Sequence, residues 1–139
     1  MAQRTFSIIK PDGVRQKVAG KVLARIEDAG FSVLGLRMVH MSKGQAEAFY
    51  AVHQERPFFD SLTKFMSSGP CVVMVLEKDN AIEDLRELMG ATDPAKAAAG
   101  TIRKDFASSI EANVIHGSDS LESAAIEIPF FFTTLQLVS

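Results

Sequence analysis

The segment Ile126–Val138, IEIPFFFTTLQLV, decides how many strands this chain contains. Its isoleucines, phenylalanines, threonines and valine favour a strand by propensity. Periodicity argues the other way. Leu121, Ala124, Ala125, Ile128, Phe131 and Phe132 fall at i, i+3, i+4, i+7, i+10 and i+11, the spacing of one helix face. Asp119 and Glu122 stand just ahead with capping-box spacing. The pattern predicts a helix from about Ser120 to Phe131, with Pro129 weakening its last turns.

Working outward from that helix, ANVIH (112–116) reads as a strand. CVVMVL (71–76) is short and uniformly apolar, the mark of a central strand buried on both faces. RTFSII (4–9) is β-branched and aromatic, and KPDG ends it. FSVLGLRMVHM (31–41) is a strand with imperfect alternation: Val33, Gly35, Arg37 and Val39 on one face, Ser32, Leu34, Leu36 and Met38 on the other. Val18, Ala19, Val22, Leu23 and Ile26 recur at helical spacing up to a stop at Gly30. SKGQ, from Ser42, has capping-box spacing and opens a helix carrying Ala46, Phe49, Tyr50 and His53 along one side. Pro57 suits the first turn of the next helix, through Leu62 and Phe65. Asn80 and Glu83 cap a helix with Ile82, Leu85, Leu88 and Met89 inward and Gly90 as its stop. The order is strand, helix, strand, helix pair, strand, helix, loop, strand, helix. Four strands with helices mainly on one face make an α+β sandwich, here a single domain over residues 1–139.

Bulk properties narrow the function. A chain of 139 residues buries a core without staples. A net charge of −2 argues against a nucleic-acid binder, which needs a broad basic face. Any cationic site must be a local cluster suited to a small anion. Cys71 is the only cysteine, which excludes an intramolecular disulfide, and its apolar setting suggests an inert buried thiol. The N-terminus has no signal-peptide pattern, and no apolar run approaches the ~20 residues that span a bilayer. The expectation is a reduced, soluble, cytoplasmic protein with no membrane partner.

Several chemistries fit poorly. GVRQKVAGK lacks the P-loop order of GxxxxGK followed by Ser or Thr, and there is no GxGxxG. His116, Ser118 and Asp119 are too nearly contiguous for a hydrolase triad. Histidines at 40, 53 and 116, without spaced carboxylate or cysteine ligands, do not make a zinc site. Two readings of NVIHGSDS (113–120) remain. His116 ends a strand and Ser118–Ser120 cap a helix; or His116 is a nucleophile, for which a neutral imidazole with a pKa near ~6.5 is suited. In the second reading Gly117 and Ser118 leave room for a tetrahedral group, and Glu127 on the next helix orients the ring.

NVIHGSDS resembles the active-site signature of nucleoside diphosphate kinases. TFSIIKPDGV, FYAVHQERPFF, FMSSGPCVVMVLE, RELMGATDPAKAAAGTIRKDFA and ESAAIEIPFFF also resemble family segments, in family order. The similarity covers nearly the whole chain. It implies a ferredoxin-like βαββαβ core, an antiparallel four-stranded sheet with added helices. It also implies transfer of the γ-phosphoryl of a nucleoside triphosphate to a nucleoside diphosphate, ping-pong, through a phosphohistidine.

By the same resemblance His116 is the nucleophile, supported by Ser118 and Glu127. Lys10 is implied as a ligand of sugar and phosphate, and Tyr50 as a neighbour of the transferred phosphate. Arg86, Arg103 and Thr92 would bind phosphates, and Asn113 the sugar hydroxyl. Phe58 would stack on the base with Ile110 opposite, a platform tolerant of different bases. Mg2+ is implied, held largely by substrate phosphates and water rather than by protein ligands. Departures from the family pattern, at Ala125, Pro129, AKAAAG and the short tail, lie outside the matched catalytic set. They bear on the homo-oligomer, for which the family offers tetramers and hexamers built from dimers. A nucleotide-binding regulatory protein on the same fold, or an assembly module, would be the alternatives; the first predicts loss of His116, Lys10, Arg86 or Arg103, and all are present.

Overall fold

The computed structural model describes residues 1–139. In chain order the elements are β1 (Ala2–Ile9), α1 (Pro11–Arg15), α2 (Ala19–Asp28), β2 (Ser32–Val39), α3 (Lys43–Phe49), α4 (Phe59–Met66), β3 (Cys71–Asp79), α5 (Ala81–Met89), α6 (Ile102–Phe106), β4 (Ile115–Gly117) and α7 (Leu121–Phe131), with short 3-10 turns between some of them. The strands form one sheet in the order β2-β3-β1-β4, and every pairing is antiparallel. Taking β1, α2, β2, β3, α5 and β4 in turn gives the expected βαββαβ core.

The apolar run Cys71–Leu76 is buried along its whole length because both faces of the sheet are covered. Val22 and Ile26 of α2 and Leu85 of α5 pack with Ile9, Met74, Leu76 and Ile115 on one face. Ala46, Met66 and Phe132, from α3, α4 and the end of α7, pack with Phe6, Ile8, Val73 and Val75 on the other. The added helices thus close the face that the core helices leave open, and the coverage is two-sided rather than mainly one-sided.

Three local readings shift, each for a physical reason. The uneven alternation of β2 is a bulge between Val33 and Gly35, where the register against β3 slips. Leu34 and Val39 then serve the same apolar cluster despite an odd separation, which a regular strand forbids. The last strand starts at Ile115 rather than Ala112, because Val114 takes a left-handed φ of 73° that ends extended structure. The segment 120–131 is helical as its spacing predicts, but its cap is Ser120, which accepts from the Ser123 N–H at 3.1 Å, in place of the Asp119–Glu122 pair. Pro129 is accommodated inside this helix on its exposed side, near exposed Ala125.

Other caps differ in detail. Ser42 and Gln45 form the expected capping box. Pro57 lies ahead of α4, whose cap is Phe58. Asn80 precedes α5 with φ of 59°, and its side chain donates to Glu83 and Asp84 instead of accepting from the backbone. The short helices α1 and α6 carry too little periodicity to be read from sequence.

Gly90 sets the junction between α5 and α6. It ends α5 with φ of 87° and ψ of −179°, a conformation essentially reserved for glycine. A Cβ there would stand 2.5 Å from Thr101 Oγ1, at the cap of α6. Gly90→Ala should therefore destabilise the chain by roughly 1–3 kcal/mol in urea unfolding. It should also displace α6 and the Arg103 it carries; a variant as stable as the parent would show that this close approach is relaxed in solution.

Candidate active site

β4 runs beside β1 with His116 opposite Ile8, and the Lys10 N–H continues the contact by donating to the Val114 carbonyl at 2.7 Å. The end of β1 and the start of β4 therefore bring Lys10, Asn113 and His116 to one corner of the sheet.

The His116 ring edges against Phe6, Phe49 and Tyr50, with centroids 6.3, 5.7 and 6.3 Å away. Its Nε2 lies 2.9 Å from Glu127 Oε1 on α7. The Ser118 hydroxyl reaches the same oxygen at 2.9 Å. That hydroxyl also accepts the Phe6 N–H at 3.2 Å, and its single proton goes to the carboxylate, a nearer and stronger acceptor than the Phe6 carbonyl at 3.3 Å. A carboxylate can only accept, so Nε2 carries a proton toward Glu127. In the neutral ring Nδ1 is then left with its lone pair free. Ser118 and Glu127 sit behind the ring and hold it.

The other site residues read from the sequence line one cleft of about 450 Å³ together with His116: Lys10, Tyr50, Phe58, Arg86, Thr92, Arg103, Ile110 and Asn113. Its deep end is cationic. Lys10 is 7% exposed, and burial first, then neighbouring Arg103, lower its pKa to about 8; Asp12 and Glu111 pull the other way. Arg103 is equally buried and donates to the Gly90 carbonyl at 3.0 Å and the Ile115 carbonyl at 2.7 Å. Burial and the Arg86 charge bring it down to about 10, which still leaves it fully charged near neutral pH. Arg86 is half-exposed on α5 and meets Asp119 at 2.8 Å.

Tyr50 is buried with no partner for its hydroxyl, and burial pushes its pKa far up, so it stays a phenol able to donate. Asn113 is also buried; its amide nitrogen donates to the Thr92 carbonyl at 3.3 Å and its Oδ1 has no partner. At the mouth, Phe58 and Ile110 are 43% and 60% exposed, two apolar surfaces turned toward solvent.

The cleft also contains residues that the sequence reading passed over or used otherwise. His53 stands between Tyr50 and Phe58, with ring centroids 6.5 and 5.6 Å away. Asp119, read as a helix cap, is the partner of Arg86. Glu111 accepts from Ser61 Oγ at 2.6 Å, tying the first turn of α4 to the loop that carries Ile110. Gly117 brings β4 close to α5, since a Cβ there would lie 3.0 Å from Leu85 and Met89. No sequence spacing could have announced these, because each contact spans distant segments. With both cleft carboxylates engaged by Arg86 and Ser61, the donors suit a cation brought in on phosphate oxygens rather than one caged by side chains.

A family model described as nucleoside diphosphate kinase matches residues 3–137. The chain belongs to the nucleoside diphosphate kinase family. The nucleoside diphosphate kinase of Geotalea uraniireducens is 62% identical over 136 residues, covering 98% of this chain and 99% of that one. That of Nitratidesulfovibrio vulgaris is 60% identical over 138 residues, 99% of each chain. Among solved structures, the Aquifex aeolicus nucleoside diphosphate kinase superposes with a TM-score of 0.97 at 44% identity, over 99% of this chain and all of that one. The Halobacterium salinarum enzyme, solved in complex with CDP, gives 0.95 at 40% identity over 100% of this chain and 93% of that one. The activity is accordingly that of a nucleoside diphosphate kinase, a nucleotide-binding phosphotransferase of a kind that generally works with a divalent cation. No helix is long and apolar enough to cross a membrane.

The buried lysine has a measurable signature. Its folded pKa, about 8, lies below the ordinary 10.5 of the unfolded chain, so between those values the unfolded state binds more protons. Stability from this group should therefore rise with pH across that window and be lost as pH falls through 8. Lys10→Met should be more stable than the parent at pH 7, and the gap should shrink by about 3 kcal/mol as pH climbs from 8 to 10.5. Urea titrations of both proteins across that range check it; a constant gap would show that Lys10 is well solvated.

Proposed function

We propose that this enzyme transfers the γ-phosphoryl of a nucleoside triphosphate to a nucleoside diphosphate through a phosphohistidine on His116 Nδ1. One observation carries the proposal. Nε2 of His116 is committed to Glu127, so the lone pair left over belongs to Nδ1, in a cleft lined by the cations Lys10, Arg86 and Arg103.

In the first half-reaction the Nδ1 lone pair forms an N–P bond. The bond between the γ-phosphorus and its bridging oxygen breaks, and its electron pair leaves with the diphosphate. Glu127 disperses the positive charge that grows on the ring, and Ser118 keeps that carboxylate in place. Arg86, Arg103, Lys10 and the Tyr50 hydroxyl face the charge developing on the phosphoryl oxygens, with Thr92 adding a hydroxyl. The second half-reaction is the reverse, onto a different diphosphate. Asn113 and Lys10 hold the sugar while Phe58 and Ile110 sandwich the base. Mg2+ is the divalent cation proposed; bound with the nucleotide, it would neutralise phosphate charge, and the cleft carboxylates Asp119 and Glu111 would be the groups available to hold its waters.

The whole chain is proposed to act as one domain in the cytoplasm, where a free buried thiol such as Cys71 persists. We further propose a homo-oligomer built from dimers, tetrameric or hexameric. Leu36 and Met38 are exposed on β2, a free sheet edge, and Ile126 is exposed on α7; such surfaces call for cover. A purely regulatory nucleotide binder has no support from a cleft that gathers Lys10, Tyr50, Arg86, Arg103 and His116.

Brief incubation with γ-labelled ATP and a magnesium salt should leave label on the protein that is acid-labile, base-stable and chased into GTP by GDP. His116→Ala should retain the fold and lose the phosphoenzyme; continued exchange would remove His116 from the mechanism. Arg103→Ala should lower kcat by about a hundredfold or more. Arg103→Lys serves as the control for the two carbonyl contacts that truncation also breaks, and an unchanged rate in the alanine variant would show that the clamp is misassigned.

A further inference from the structure

Asp12, in the KPDG stretch, has no place in the chemistry above, yet its surroundings are unusual. It sits in α1 two residues after Lys10, only 7% exposed. Its Oδ2 accepts the Val114 N–H at 3.1 Å, and its Oδ1 is buried without any hydrogen-bond partner. A buried carboxylate with an idle oxygen is costly and calls for a reason.

Val114 supplies half of one. It is β-branched and held at φ of 73°, a conformation that costs on the order of 1–3 kcal/mol. The turn closes through the Ile115 N–H to the Asn113 carbonyl at 2.8 Å. Both backbone polar groups of Val114 are then secured by the KPDG stretch, its N–H by Asp12 and its carbonyl by the Lys10 N–H. Gly13 makes room for this, since a Cβ there would lie 3.2 Å from the Val114 side chain. Asn113 and His116 flank the turn.

Charge supplies the other half. The charged groups acting on buried Lys10 are Arg103 from α6, which opposes its proton, and Asp12 from α1 and Glu111 from the loop before β4, which favour it. Of the two acids, Glu111 is already hydrogen-bonded to Ser61, while Asp12 keeps one oxygen idle.

We infer that Asp12 is a positioning residue of the phosphoryl-transfer site: its carboxylate pins the Val114 turn that presents Asn113 and His116, and sets a negative charge two residues from buried Lys10. The inference rests on the reading of Lys10 as a phosphate ligand. The two duties need different properties of the side chain, a hydrogen-bond acceptor for the turn and a negative charge for the lysine. Asparagine supplies the first without the second.

The test is the pH dependence of kcat/KM for a nucleoside triphosphate, the substrate that meets the unphosphorylated enzyme, in the native enzyme, Asp12→Asn, Asp12→Glu and Lys10→Arg, each checked for folding by circular dichroism. The native profile should fall on its alkaline side as Lys10 loses its proton. Lys10→Arg should abolish that fall, because a guanidinium does not titrate there. Asp12→Asn should move it down by about one pH unit or more, since a nearby opposite charge shifts a pKa by that order. Asp12→Glu, which keeps the charge but displaces the acceptor, should leave the fall in place and lower kcat. If Lys10→Arg abolishes the fall but Asp12→Asn leaves it unmoved, this inference alone is overturned. If Asp12→Glu moves it as far as Asp12→Asn, the effect is packing and the charge role is overturned. A fall that persists in Lys10→Arg overturns the reading of Lys10 and this inference with it.

Discussion

Arg103 is the fastening on which the site depends. One nitrogen of its guanidinium donates to the Gly90 carbonyl at the end of α5 and another to the Ile115 carbonyl on β4, so one side chain spaces α5, α6 and β4. Hydrogen bonds to a charged donor contribute roughly 1.5–3 kcal/mol each. Burying the cation costs several kcal/mol in return. The balance in the free enzyme is made worse by an idle Nε and by neighbouring Arg86. Lys10 faces the same problem a short distance away. A multiply charged phosphate chain is the ligand that relieves both at once. In the proposed reading, the fold tolerates strain at this corner because the substrate removes it on binding.

Orientation of the histidine comes from the opposite side of the sheet. Glu127 is fixed only as firmly as α7, and α7 is held by aromatic packing. Phe131 lies parallel to Phe6 at 5.4 Å, and Phe49 contacts both Phe130 and Phe131. Phe6 and Phe49 are the same rings that edge His116. The apolar socket of the imidazole and the anchorage of its carboxylate partner are therefore one cluster. A cavity made there would loosen the ring and its hydrogen bond together, which explains how a packing residue such as Phe131 bears on chemistry it never touches.

Where a residue's role was set by its own neighbourhood in the chain, it was legible. The helical spacing from Leu121 outweighed the strand propensity of IEIPFFF, and the apolar run at Cys71 correctly announced a doubly covered strand. What escaped was set by distant contacts. The bulge at Leu34 depends on register against β3, and the late start of β4 depends on Asp12 and Lys10 gripping Val114. Among the site residues, His116 was suspect on its own chemistry. Lys10, Tyr50, Arg86 and Arg103 were assigned their expected roles only through family resemblance. Their convergence on one cleft could not be derived from spacing, since they come from the ends of β1 and α3 and from α5 and α6.

The cleft is also unequal along its length, and the inequality follows from burial. Its deep end holds buried polar groups that need a partner: Lys10 and Arg103 an anion, and the unpartnered Oδ1 of Asn113 a hydrogen-bond donor. A ligand lacking phosphate or sugar hydroxyl there would leave such groups unsatisfied, at about 1–3 kcal/mol apiece. The outer end offers Phe58 and Ile110, exposed apolar surfaces that interact with any flat ring and discriminate weakly among rings. In the proposed reading, selectivity is concentrated where desolvation makes an unmet hydrogen bond expensive and relaxed where water still reaches. An enzyme that must accept one nucleotide and then another in alternate half-reactions needs that division: a demanding grip on the phosphates and sugar, and a permissive one on the base.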